Sequence, residues 1–166
     1  YSLVLRLLAA LLVVFLGEKI FYSILFFPLF YLTYLLLSPY DPDVFDNSLL
    51  INNNKLMFVS ACVAISAYIL LSILILLTKE ISFKKGLKVF LTGALILFLA
   101  NLIRIYALAL VLLEYDVELF NTLHLFFWDI LSTAFVFLLW VGLIKYFKIK
   151  AIPIYSDFNY LRKKLF

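Results

Sequence analysis

Read from its first residue, the chain alternates long apolar runs with short polar breaks. Residues 2–16 are apolar except for Arg6, and Gly17-Glu18-Lys19 interrupts them. Residues 20–38, rich in Phe, Tyr and Leu, form a second run with Pro28 inside it, a residue that removes a backbone donor and kinks a helix. A polar stretch follows over 39–55, with Asp41, Asp43, Asp46 and the turn residues Pro39, Pro42 and Asn52-Asn53-Asn54. Apolar runs return at 56–78, 89–113 and 119–144. Runs of about 18 residues or more read as membrane spans. The first run is shorter, and no small-residue cleavage site follows it as it would a secretory signal, so it reads as a short first span. The predicted fold is all-α: one integral membrane domain over 1–166, a polytopic bundle of about five transmembrane helices. Residues 145–166, basic and aromatic, form an interfacial tail. The chain begins with Tyr1 rather than Met, so further residues are expected before it.

Composition agrees with this pattern. The chain is 67% hydrophobic and 14% charged, whereas soluble domains run at roughly 45–50% apolar and about 25% charged. The net charge of +4 does not point to nucleic acid, because the basic residues flank the spans. Lys79, Lys84, Lys85 and Lys88 lie in one connection, and Lys145, Lys148, Lys150, Arg162, Lys163 and Lys164 in the tail. Connections 39–55 and 114–118 are acidic. The positive-inside rule therefore puts 79–88 and the tail in the cytoplasm of a multi-pass plasma-membrane protein. The acidic connections, and the N-terminus if there are five spans, lie outside.

Against this background Arg104 stands out, well inside the run at 89–113. An arginine at that depth costs about 2.5–3.5 kcal/mol on insertion scales and marks a functional site by default. The single Cys62 lies about 9 Å from the outer end of its predicted span, the single His124 about 8 Å, and Arg104 about 13 Å, at 1.5 Å per residue. All three fall in the outer leaflet on three spans joined by short connections. Such a set suits cysteine acyl transfer. A nearby cation favours the nucleophilic thiolate, histidine shuttles the proton, and arginine holds a developing oxyanion or a carbonyl. Asn101 lies one turn from Arg104 and can orient it. Asp129 is five residues after His124 and can meet Arg104 or His124 only across helices. One Cys and one His supply neither a disulfide nor a four-ligand zinc site, so no metal and no cofactor is expected. Singly, each residue has an ordinary reading. Cys62 would be a small buried hydrophobe, His124 an interhelical hydrogen bonder, and Arg104 a structural partner of Asp129.

Ala61-Cys62, Asn101-Leu102-Ile103-Arg104-Ile105 and Leu123-His124, in this order and at these depths, resemble the exosortase/archaeosortase family of membrane transpeptidases, in a small, divergent, archaeosortase-like form. The resemblance covers roughly residues 58–144. The family often carries Cys-Ser-Gly where this chain has Cys62-Val63-Ala64. It implies an enzyme acting on exported proteins that end in a sorting signal: a short motif, a membrane helix and a basic end. Cys62 would attack the backbone near the motif and form a thioester, with His124 as acid/base and Arg104 stabilising the intermediate. An amine, that of a lipid headgroup, would release the product at the outer face. Two other readings stand beside it: an intramembrane cysteine protease with water as acceptor, and a non-enzymatic scaffold or transporter subunit built on an Arg104–Asp129 pair.

Overall fold

The computed structural model describes residues 3–149, apart from 53, 79–80, 116 and 128–131. Helix α1, Leu3–Leu37, is followed by a 3-10 turn, Ser38–Tyr40. Three strands come next: β1 (Asp43–Phe45), β2 (Ser48–Ile51) and β3 (Asn54–Met57). Then come helices α2 (Ile65–Leu77), α3 (Phe83–Glu114), α4 (Val117–Phe126) and α5 (Ser132–Tyr146). Helices α1, α2, α3 and α5 pack on one another, and α4 packs on α3.

The first departure from expectation is α1. Gly17-Glu18-Lys19 does not break it, and the two predicted spans over 2–16 and 20–38 are one helix of 35 residues. At 1.5 Å per residue it is about 52 Å long. Glu and Lys are good helix formers, and an interior glycine costs only about 1 kcal/mol. Gly17 also serves packing: a Cβ there would lie 3.1 Å from Ile69 Cγ1, so its absence lets α1 and α2 approach closely. Arg6 Nη1 donates to the carbonyl of Leu77 at 3.2 Å. The Leu3 end of α1 therefore lies beside the end of α2, on the same side as connection 79–88 and not on the opposite side as five spans would have it.

The second departure is the polar connection, which folds as an antiparallel sheet in the order β1-β2-β3. The bundle is thus predominantly α-helical, as expected, with a small sheet added at one end. Leu49 faces Val44 on one side and Leu56 on the other. Asp46 and Asn52 turn the chain with φ of 46° and 49°, a left-handed conformation that Asp and Asn tolerate. Between these turns Ser48, Leu49 and Ile51 are buried. Asn54 Nδ2 donates to the carbonyl of Leu112 at 3.2 Å and fixes the sheet over the C-terminal end of α3.

The third departure lies in the predicted span 56–78. Leu56 and Met57 belong to β3, residues 60–64 form turns, and only 13 residues, Ile65–Leu77, are α-helical. The ladder holds Leu56 opposite Leu49, so the helix cannot begin there. The predicted run 89–113 lies inside α3, which starts earlier because Ser82 Oγ accepts from the Lys85 N–H, an N-cap. The run 119–144 falls on α4 and α5, with 128–131 outside the described residues, as is the tail over 150–166.

Among the described residues, Phe83–Glu114 is long and apolar enough to cross a membrane, while Ile65–Leu77 and Ser132–Tyr146 are shorter apolar helices. Phe15, Phe27, Ile103 and Leu138 are 66–74% exposed, an apolar surface far larger than a soluble monomer tolerates. Inside are two cores. One lies under the sheet, around Leu29, Leu37, Leu49, Phe58, Val63 and Ile105. The other lies between α2, α3 and α5, around Tyr68, Leu71, Val89, Leu97, Trp140 and Leu143. Gly93 is the closest crossing of the second core: a Cβ there would sit 2.7 Å from Leu71 Cδ2 and 2.9 Å from Leu143 Cδ1.

Candidate functional site

Cys62 lies not within a helix but in the turn between β3 and α2. The turn is closed by Cys62 N–H to Val59 O at 2.9 Å, Val63 N–H to Val59 O at 3.2 Å and Ala64 N–H to Ala61 O at 3.2 Å. Val63 belongs to the core under the sheet and Ala64 to the core between the helices, so the turn sits at the seam of the two. Cys62 is partly exposed. Its Sγ donates to the carbonyl of Met57 at 3.4 Å, which aims the sulfur back toward β3.

Ala64 begins α2 with φ 58° and ψ 36°, left-handed values. For a residue with a Cβ that conformation costs roughly 1–2 kcal/mol, whereas glycine adopts it freely. In the Cys-Ser-Gly run noted above, the third position is glycine, and Ala64 stands there. The left-handed turn gives that glycine a physical reason. Ala is the smallest side chain that can replace it, and the surrounding packing holds the conformation.

The turn is tied to α3 from one side. Asn101 Nδ2 donates to the carbonyl of Cys62 at 2.8 Å. Arg104 Nη2 donates to the carbonyls of Ala61 at 3.3 Å and Cys62 at 3.2 Å. The residue spacing explains this: positions three apart share one helical face, so both donors reach adjacent carbonyls. A carbonyl accepts only, so the amide group of Asn101 faces it with nitrogen. Its Oδ1 and the Arg104 Nε–H find no partner among the described residues, and both residues line a cavity of about 120 Å³ walled by Ala64, Ala67, Leu97, Phe127 and Val136. No carboxylate among the described residues pairs with Arg104.

His124 sits near the end of α4, its ring stacked on Phe120 with centroids 5.7 Å apart. Arg104 is within electrostatic reach of both Cys62 and His124. Direct contact therefore joins Cys62, Asn101 and Arg104, whereas His124 is near enough to feel the charge of Arg104 without a hydrogen bond to the group among the described residues. Among the described residues no hydrogen bond links His124 to the sulfur. Asp129 lies outside the described residues. Residue types and spacing did not point to Met57, Ala61 and Ala64, which act through backbone carbonyls and backbone conformation. The departure from Cys-Ser-Gly at position 64 was the available signal for the last of them.

The family model of the transmembrane exosortases matches residues 40–142, more than half of the chain, and the match takes in the sheet, the Cys62 turn, α3 and α4. No curated protein and no solved structure matches the chain. The chain belongs to the transmembrane exosortase family; it is an integral membrane protein, and its family is one of transpeptidase-like enzymes of protein sorting.

Proposed function

As a premise from that family and from the tethered turn, we propose that this exosortase is a cysteine transpeptidase with Cys62 as nucleophile and His124 as acid/base. The observation that carries the reading is the pair of donors, Asn101 and Arg104, on the carbonyls that flank the Cys62 side chain. Two neighbouring polar residues in a membrane-spanning helix, both spent on one cysteine turn, favour a site over a packing accident.

The reaction runs in two halves. His124 takes the proton of the thiol, and the thiolate attacks a backbone carbonyl of the exported substrate near its sorting signal. The tetrahedral intermediate collapses to a thioester on Cys62, the C–N bond breaks, and His124 returns the proton to the leaving amine. An acceptor amine then attacks the thioester carbonyl and loses its proton to His124; the C–S bond breaks, the Cys62 thiolate leaves and takes that proton back, and the substrate departs in a new amide bond. Balance requires only the substrate and the acceptor amine. With water in place of the amine the same steps give hydrolysis, so product analysis separates transpeptidase from protease.

The geometry revises the expected part of Arg104. Its Nη2 is engaged by carbonyls of the nucleophile's own turn, so it acts as a positioning residue. An Arg104–Asp129 pair, the basis of the scaffold reading, stays a proposal to be tested by exchange of the two residues. The acidic sheet end carries Cys62 and the lysines 84, 85 and 88 lie at the start of α3, which suits an outward-facing site and a cytoplasmic N-terminal end of α1. Processing of an exported reporter that ends in a sorting signal tests the enzyme. It is expected to stop in Cys62→Ala and Cys62→Ser cells, and unchanged processing in both variants overturns the reading.

A further inference from the structure

Gly17-Glu18-Lys19 looks at first like a helix break, yet it forms the middle of α1, with Glu18 and Lys19 exposed on its surface. Adjacent charges in the middle of a long apolar helix are costly at membrane depth and mark function. Both line a groove of about 590 Å³ whose other walls include Tyr22, Asn47, Phe58 and Ser60. Met57, whose carbonyl holds the Cys62 sulfur at 3.4 Å, lines it as well. The groove therefore runs from the two charges to the residues that immediately precede the nucleophile.

A peptide bond open to attack must be extended or irregular, and in an apolar setting its backbone N–H and C=O groups each need a partner. Two other cavities among the described residues serve this poorly. The one between the start of α1 and the start of α3 lies at the opposite end of α2, and the small one behind Arg104 is about 120 Å³. The groove offers a carboxylate and an ammonium on successive helical positions, the Tyr22 and Ser60 hydroxyls and the Asn47 amide. Its volume falls within the range of about 300–1,000 Å³ seen for ligand sites.

We infer that this groove binds the extended segment of the substrate polypeptide next to the scissile bond, with Glu18 accepting from its N–H groups or a basic side chain and Lys19 donating to its carbonyls or a carboxylate. The inference rests on the transpeptidase reading for the word substrate, and on the groove alone for the place where a peptide binds. Glu18 and Lys19 are specificity-determining residues, not groups that touch the reacting atoms.

The test uses the full chain in proteoliposomes and, as probe, a fluorescent reporter bearing the C-terminal sorting signal of an exported protein from the same genome. Glu18→Gln and Lys19→Gln are expected to raise KM at least about tenfold, which corresponds to about 1.4 kcal/mol, with kcat within about twofold and the rate of Cys62 alkylation by a water-soluble maleimide unchanged. Binding of the same reporter to Cys62→Ala is measured in parallel and is expected to weaken by a similar factor when Glu18→Gln is added. Unchanged KM and unchanged binding in both variants overturn the groove, and so does a loss of kcat alone. If Cys62→Ala still processes the reporter the transpeptidase reading falls, while the binding arm still decides the groove. A loss of folding is told apart by the alkylation rate and by Leu16→Gln, an exposed neighbour outside the groove that is expected to leave KM unchanged.

Discussion

Cys62 sits in a turn whose carbonyls are held by two side chains of α3, between two buried cores. His124 sits on a ten-residue helix with no buried residue, and its ring rests on the neighbouring Phe120. One half of the proposed site is over-determined and the other lightly held. A nucleophile gains from rigidity because misplacement by about 1 Å can cost about a hundredfold in rate. An acid/base that must serve two leaving and entering groups in turn gains from freedom. The difference teaches where the energy of the site is stored: in the Cys62 turn, at a measurable cost in buried polar groups, and hardly at all in α4.

Substitutions can break that contrast, and the largest effect is on chemistry. Cys62→Ala is expected to lower the processing rate by about 10⁴-fold or more, the scale on which removal of a nucleophile acts, with thermal stability within about 0.5 kcal/mol of the parent, since the side chain is partly exposed. His124→Ala is expected to lower the rate by about 10²–10⁴-fold, the range of general acid–base catalysis, again with little change in melting temperature because no residue of α4 is fully buried. A melting shift comparable to that of an α3 variant would show that His124 is structural and break the contrast.

On the tethered side the order of effects reverses, with stability moving first. Arg104→Met is expected to cost about 2–4 kcal/mol, from two charge-assisted bonds lost, with the Ala61 carbonyl left to the Ala64 N–H and the Cys62 carbonyl to Asn101 Nδ2, and Arg104→Lys about half of that because an ammonium lacks the planar fork. Asn101→Leu is expected to cost about 1–3 kcal/mol by loss of its bond to the Cys62 carbonyl. Both are read by thermal unfolding in detergent, alongside the alkylation rate of Cys62, which should rise as the turn loosens. The smallest effect sharpens the picture most: Ala64→Gly relieves a left-handed Ala and is expected to stabilise by up to about 1 kcal/mol, while Ala64→Val is expected to destabilise by more than that.

Much of this was legible in the chain itself. Arg104 declared itself by depth in an apolar run, Asn101 by its spacing of three, and Cys62 and His124 by being single and by flanking it. The long helix was harder to read, since Gly17-Glu18-Lys19 has the composition of a break, and only the closeness of Ile69 shows why glycine is there. The sheet was hidden in a polar connection, although Ser48–Ile51 between Asp46-Asn47 and Asn52 carries the turn chemistry of paired hairpins. Cys62 was misplaced onto a helix for the same reason: a strand, a turn and a helix end share one unbroken apolar run, and hydropathy does not distinguish them. The role of Arg104 toward backbone carbonyls leaves no trace in residue types.

In the proposed reaction the tethered sulfur becomes covalently bonded to the substrate. Mass spectrometry of the chain after brief reaction with the sorting-signal reporter, quenched in acid and mapped by peptide, tests it most directly. A thioester between Cys62 and the N-terminal part of the reporter, lost on treatment with hydroxylamine and absent from Cys62→Ser, is the expected result. Cleavage of the reporter with no adduct at Cys62, continuing in Cys62→Ala, would contradict it.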